Sequence, residues 1–316
     1  MSETVAAPRR AWRIVAVLAL LGLLTASLQR MDLARAWAEV SAVRVEWLVL
    51  AMVCYFAILP LWAVQWHLLA PSRRAPKLGD MFRVVATTST VLNTTPMLVG
   101  EATAVVLLVA HAGLDRAAAI SVLAMDQLIV GLAKLTVLGV AASWAPLPDW
   151  MTRAILGLVS GLSLLGVGLL VAAWRHADVT RWLSRIVPLP VARAVGAFAA
   201  ALGPMRSPSR GGATFLLALL KKSAEVLAIL CVQRAFGVSL PLGSAILVLA
   251  ALNLATLLPV IPGNVGIYEA TAVLVYTRLG LAPESALGMA VVQHLCYFVA
   301  LATPGVAWLG RPRSPR

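Results

Sequence analysis

Charge is scarce in this chain, and negative charge is scarcest: Asp, Glu, Lys and Arg make up 12% of 316 residues, with 13 acidic residues against 26 basic ones. A soluble domain carries about a quarter charged residues. With half that share and 61% apolar residues, this chain cannot keep its apolar surface from water as a soluble protein. Cysteine is also rare. Cys54, Cys231 and Cys296 fall in apolar segments without paired spacing, so they read as small core residues and not as a disulfide framework. The four histidines, His67, His111, His176 and His294, are scattered, which leaves no recognisable metal centre. A Gly-x-x-x-x-Gly-Lys phosphate loop, a Gly-x-Ser-x-Gly elbow and a His-Glu-x-x-His helix are all missing. No cofactor or metal is expected, and the chain is not read as an enzyme.

What is abundant is long apolar sequence, and it points to a single all-α polytopic membrane domain covering residues 1–316. Formal net charge is +13, which in a soluble protein would suggest nucleic acid. In a membrane protein, basic residues collect in cytoplasmic loops, so no nucleic-acid partner is expected. Basic residues precede a first apolar span at 14–28, read as an uncleaved helix. A second span at 46–70 is flanked by Trp47 and Trp66. Further spans are expected at 117–143, 155–174, 212–236 and 283–309.

Two apolar stretches carry sequence that a lipid-facing helix cannot tolerate. The stretch 253–275 contains Pro259, Pro262, Gly263, Asn264, Gly266 and the carboxylate Glu269. Upstream, 92–105 contains Asn93, Pro96, Gly100 and Glu101, and both carboxylates open the pentapeptide Glu-Ala-Thr-Ala-Val. Proline removes a backbone donor and glycine loosens the chain, and irregular backbone at membrane depth survives only around protein or a water-filled cavity. Each carboxylate is followed by a short helix closing at Gly113-Leu114 or Gly280-Leu281, then by a long apolar helix. Matched interrupted segments in two halves point to a transporter site. The expected fold is about six full transmembrane helices plus two re-entrant helical hairpins in inverted repeats, or eight spans if hairpin arms are counted. The repeat cores are 80–143 and 242–309.

Between the repeats, residues 175–210 form a basic amphipathic linker in which Arg175, Arg181, Arg185, Arg193, Arg206 and Arg210 alternate with Trp182, Ile186, Val195 and Phe198. It suits either an ordinary cytoplasmic loop or a segment lying on anionic headgroups. Placing both termini inside puts 17 basic residues on the cytoplasmic side and 6 outside, a strong orientation signal.

Ionisable residues within the apolar runs are Glu101, Asp126, Lys134, Lys221, Lys222, Glu225, Glu269 and His294. A charge near the bilayer centre costs at least about 2.5–3.5 kcal/mol, so each needs a partner or a polar cavity. Lys221 and Glu225 stand four apart and can pair on one helix face. Glu101 and Glu269 each read as opening a short helix, where a carboxylate either caps free amides or lines a substrate pathway. Asp126 and the Gln293-His294 pair follow their glutamates by about 25 residues. The candidate substrate-binding set is Glu101, Glu269, Asn93, Asn264, Asp126, His294, Lys221, Lys222 and Glu225. Pro96, Gly100, Pro262, Gly263 and Gly266 serve as structural breakers.

The string Pro262-Gly263-Asn264-Val265-Gly266-Ile267-Tyr268-Glu269-Ala270, with Leu279-Gly280-Leu281 and the long span after it, resembles the carboxy-terminal motif of the flippase-like integral membrane family. That family is also called the lysylphosphatidylglycerol synthase transmembrane region. Asn93, Pro96 and Gly100-Glu101 resemble its other motif, although Thr95-Pro96-Met97 stands where the family usually has Pro-Gly. The resemblance implies a stand-alone member without the aminoacyl-transferase domain. It further implies a multi-pass protein of the bacterial inner membrane that moves a phospholipid, aminoacyl-lipid or polyprenyl/hopanoid-type lipid. Membrane lipids would be its partners, with a lipid-biosynthesis enzyme as a further one. A membrane-embedded enzyme or accessory subunit in lipid or glycan biosynthesis is the alternative, and a lipid-binding scaffold a third.

Overall fold

A computed structural model of the chain describes residues 40–71, 76–95, 97–143, 149–175, 181, 187–256 and 262–308. The expected first span at 14–28, the breaker Pro96, Arg73, Arg74 and the C-terminal arginines lie outside those residues. The described residues are helical throughout, with no strand among them.

The first two helices, α1 (Val45–Phe56) and α2 (Ile58–Leu69), are nearly continuous. Pro60 accounts for the joint, since it has no amide to bond to the Phe56 carbonyl one turn back. Together they make one of three stretches, among the described residues, long and apolar enough to cross a membrane. The first hairpin follows as α3 (Leu78–Thr94) and α4 (Met97–Ala110), and then α5 (Arg116–Ala142) is the second such stretch. It starts where Asp115 accepts the Ala118 amide at 2.8 Å, a side-chain N-cap. Next come α6 (Asp149–Trp174), α7 (Leu189–Ala201), a 3₁₀ turn (Gly203–Arg206) and α8 (Pro208–Ala235). The second hairpin comprises α9 (Leu242–Ala255), a 3₁₀ turn (Pro262–Asn264) and α10 (Ile267–Arg278). The chain then runs through α11 (Pro283–Ala302) into a closing 3₁₀ turn (Pro304–Trp308), which together form the third long apolar stretch.

Hairpin arms are short. At 1.5 Å per residue the arms α3, α4, α9 and α10 measure about 25, 21, 21 and 18 Å, each less than the roughly 30 Å hydrocarbon core. Both hairpins close alike. Gly113 (φ +70°) and Gly280 (φ +92°) take backbone conformations that L side chains resist. The next amide then turns back into the helix end, Leu114 N–H to Leu108 O at 3.2 Å and Leu281 N–H to Tyr276 O at 3.1 Å.

Helix α8 is the hub of the bundle and packs against α1, α2, α5, α9 and α11. Outward faces are apolar: Val53, Leu156, Leu164, Val167, Leu216 and Leu274 are all exposed, as lipid-facing side chains are in a membrane bundle. Helix α3 buries the opposite kind of face, made of Thr87, Thr88, Ser89 and Thr90. Thr90 Oγ1 donates to Ala86 O at 3.1 Å, so the helix satisfies that hydroxyl itself. Small side chains then allow close approach. Gly305 of the last turn uses it, because a Cβ there would collide with Ala86 O and Thr90 Oγ1. Phe82 meets Trp308 edge to face at 5.9 Å beside this contact.

Within the linker, residues 187–206 are docked on the bundle. Pro188 precedes α7 and Pro190 occupies its first turn, where a missing amide costs nothing. The helix packs on α5 and α6, and Ser121 Oγ donates to Phe198 O at 3.0 Å. Arg210 lies inside α8, not in the linker.

Candidate functional site

The two interrupted segments touch. Gly263 is buried at φ +63°, and a Cβ built on it would stand 2.9 Å from the Asn93 carbonyl oxygen. The tip of the second hairpin therefore rests on the backbone at the end of α3, in a gap only glycine fits. Asn93 turns its own amide inward, donating to Ser89 O at 2.8 Å. Asn264, next to Gly263, holds φ +56°.

Just after this contact, Glu269 is the third residue of α10 and accepts the Gly266 amide at 2.6 Å. Its other oxygen lies 2.6 Å from His294 Nδ1 on α11. An ionised carboxylate only accepts, so the Nδ1 proton points at Glu269 and Nε2 is left over. The His294 ring stacks on Tyr268 with centroids 4.1 Å apart. Gln293 Nε2 donates to the Tyr268 hydroxyl and Gln293 Oε1 accepts from Tyr276, both at 2.7 Å. Capping and side-chain pairing thus each engage one oxygen of Glu269.

Glu101 has a different position from the one expected. Helix α4 begins at Met97, so Glu101 sits in its second turn and caps nothing. It accepts instead from Gln127 Nε2 of α5 at 3.0 Å. The repeat is still visible, because Glu101 with Gln127 and Glu269 with His294 join a hairpin to the next long helix at separations of 26 and 25 residues. Asp126, one residue earlier, faces inward at 5% exposure and accepts from Gln65 Nε2 at 2.9 Å.

The lysine pairing also differs. Lys222, not Lys221, reaches Glu225, at 2.7 and 2.9 Å to its two oxygens, and also Asn253 Oδ1 at 3.2 Å. Lys221 lies 5.5 Å from the centre of the Trp62 ring, a cation–π position. Successive residues sit about 100° apart on a helix, and the packing of α8 turns Lys222 towards α9 and Lys221 towards α2.

A cavity of 130 Å³ lies at the tip of the second hairpin, lined by residues of α1, α5, α8, α9, α10 and α11. Of the expected site residues it brings together Lys222, Glu225, Asn264 and His294. Glu101, Asn93, Asp126, Lys221 and Glu269 are not on its walls, although Glu269 backs onto it through His294. Lys134, Asn253 and Tyr268 are wall residues outside the expected set. Lys134 had a signal, as a lysine inside an apolar run without a local partner. Asn253 opened the interrupted stretch, and only its contact with Lys222 marks it out.

Comparison with curated proteins and with solved structures finds no match. The family described as "Lysylphosphatidylglycerol synthase TM region" matches residues 11–305, a span that includes both hairpins, the cavity and every helix of the bundle. A match over nearly the whole length shows that this chain belongs to the lysylphosphatidylglycerol synthase transmembrane-region family of multi-pass membrane proteins.

Proposed function

We propose that the protein is a non-enzymatic lipid translocase of the bacterial inner membrane, in which a lipid headgroup enters between the two hairpins while the acyl chains stay in the bilayer. The observation that carries this reading is the contact of the hairpin tips, Gly263 on Asn93 O, beside a polar cavity within an otherwise apolar bundle. Family membership supports a role in lipid metabolism or translocation. The topology in this reading is six full spans and two inverted re-entrant hairpins with both termini inside, flanking a site near the midplane as alternating access requires. Residues assigned to one side do meet. Arg44 and Arg234, which this topology puts on the outer side, are joined by a hydrogen bond from Arg44 Nη2 to the Arg234 carbonyl at 3.0 Å. Pro71 and Arg210, from the other side, line a common cavity of 330 Å³.

Membrane lipids are then the partners, and an enzyme of lipid biosynthesis the natural source of substrate. The test is reconstitution into vesicles carrying headgroup-labelled phospholipids in both leaflets. Transbilayer movement well above that of protein-free vesicles is expected. Its absence for phospholipid, aminoacyl-lipid and polyprenyl lipid alike would end the translocase reading.

A further inference from the structure

The cavity at the second hairpin carries more positive than negative charge. Lys134 and Lys222 are on its walls with Glu225 as the single carboxylate. Glu225 is already held by both of its oxygens to Lys222. Lys134 makes no hydrogen bond or ion pair among the described residues. An ammonium inside the bundle without a bonded anion costs several kcal/mol, and Lys134 stands in that position, since the nearest carboxylate beyond the walls, Glu269, lies behind His294 and is bonded to it.

Hydrogen bonding is incomplete in the same place. Asn253 Nδ2, Asn264 Oδ1 and His294 Nε2 are buried polar atoms without a partner, and all three residues line this cavity. Buried polar atoms are nearly always bonded, and unmet ones on α9, the hairpin tip and α11 around a single cavity mark a place where something polar belongs. Asn264 turned about its amide would present its NH₂ group there. At 130 Å³ the space matches on the order of four waters at about 30 Å³ each. That is room for one tetrahedral oxyanion.

We infer that this cavity binds the phosphate group of a lipid headgroup, with Lys134 supplying the unpaired charge and the amide groups of Asn253 and Asn264 the surrounding hydrogen bonds. The inference rests on the translocase reading and narrows it, since neutral polycyclic lipids fall outside the substrate class. Phosphate monoesters and diesters share the recognised chemistry, and so does free inorganic phosphate.

Binding to purified protein in nanodiscs tests it, using dioctanoyl phosphatidic acid, dioctanoyl phosphatidylglycerol, phosphate-free dioctanoylglycerol and inorganic phosphate as probes. The two phospholipids should bind at least tenfold more tightly than dioctanoylglycerol. Lys134→Gln should weaken them at least tenfold, whereas Lys134→Arg should stay within about threefold. Weak inorganic phosphate binding identifies the lipid as the source, and binding as tight as the phospholipids identifies free phosphate. Both keep the phosphate site. Equal binding of dioctanoylglycerol, or a folded Lys134→Gln protein with unchanged affinity, overturns it. The vesicle assay separates the two claims. Binding that survives without transbilayer movement removes the translocase reading alone, and movement that ignores the phosphate group removes the phosphate site alone.

Discussion

Gly263→Ala tests the contact between the hairpins, because its cost divides into two parts that can be measured separately. One part is backbone strain. An L residue in the left-handed region costs about 1–2 kcal/mol relative to glycine. Gly113 and Gly237 hold the same kind of conformation, both at φ +70°, with nothing within 4 Å of an added Cβ. Alanine at either should therefore show the strain alone. The other part is collision. At Gly263 the new methyl would stand 2.9 Å from a backbone oxygen, Asn93 O, which cannot swing away as a side chain would. Overpacking of this sort typically adds about 1–3 kcal/mol. Gly263→Ala should thus lose about 2–5 kcal/mol and the two control variants about 1–2 kcal/mol. Unfolding in mixed micelles of dodecylmaltoside and sodium dodecyl sulfate reads all three. If Gly263→Ala costs no more than Gly237→Ala, the tips do not press on one another and the geometry proposed for the site is wrong.

Glu269→Gln keeps one acceptor where two donors converge, Gly266 N–H and His294 Nδ1–H. One charge-assisted bond is lost at a cost of about 1.5–3 kcal/mol, and chemical denaturation within 0.5 kcal/mol of wild type would contradict the pairing. Glu225→Ala strands the Lys222 ammonium, whose side chain is 12% exposed, and should cost about 3–5 kcal/mol. The double variant Lys222→Met/Glu225→Met should cost less than Glu225→Ala alone, and a double-mutant cycle without coupling would refute the pair. Gly305→Ala drives a methyl against Ala86 O and Thr90 Oγ1 and should destabilise by about 1–3 kcal/mol. An unchanged unfolding midpoint would show that the last turn does not seat on α3.

Much of the architecture was legible because apolar sequence tolerates so little irregularity. Proline and glycine inside such a run mark a helix break wherever they occur, and the shared Glu-Ala-Thr-Ala-Val with matched Gly-Leu closures marked a repeat. The matched spacing of about 25 residues singled out His294 in the sequence, and the packing of α10 on α11 adds what the spacing did not state, a bond from His294 to Glu269. Helix phase was not legible. Lys221 and Lys222 both stand at pairing distance from Glu225 along the sequence, since i,i+3 and i,i+4 neighbours are equally close. The choice belongs to Asn253 on α9, which draws Lys222 to its side. Glu101 was misplaced because the turn at which a helix starts is a matter of one or two residues, and that shift separates a capping position from a lateral one. Lys134 was visible as an expensive residue, but only tertiary packing brings it across the bundle to Asn253 and Asn264.

The seating of Gly305 on Ala86 and Thr90 has a consequence for biogenesis. A ribosome delivers α3 more than two hundred residues before Gly305, so the part of its threonine face around Ala86 and Thr90 stays without this cover until residue 305 has been made. Nascent chains arrested before residue 304 should therefore leave a cysteine placed at Thr90 open to labelling by small thiol reagents. Chains long enough to insert the 304–308 turn should close it.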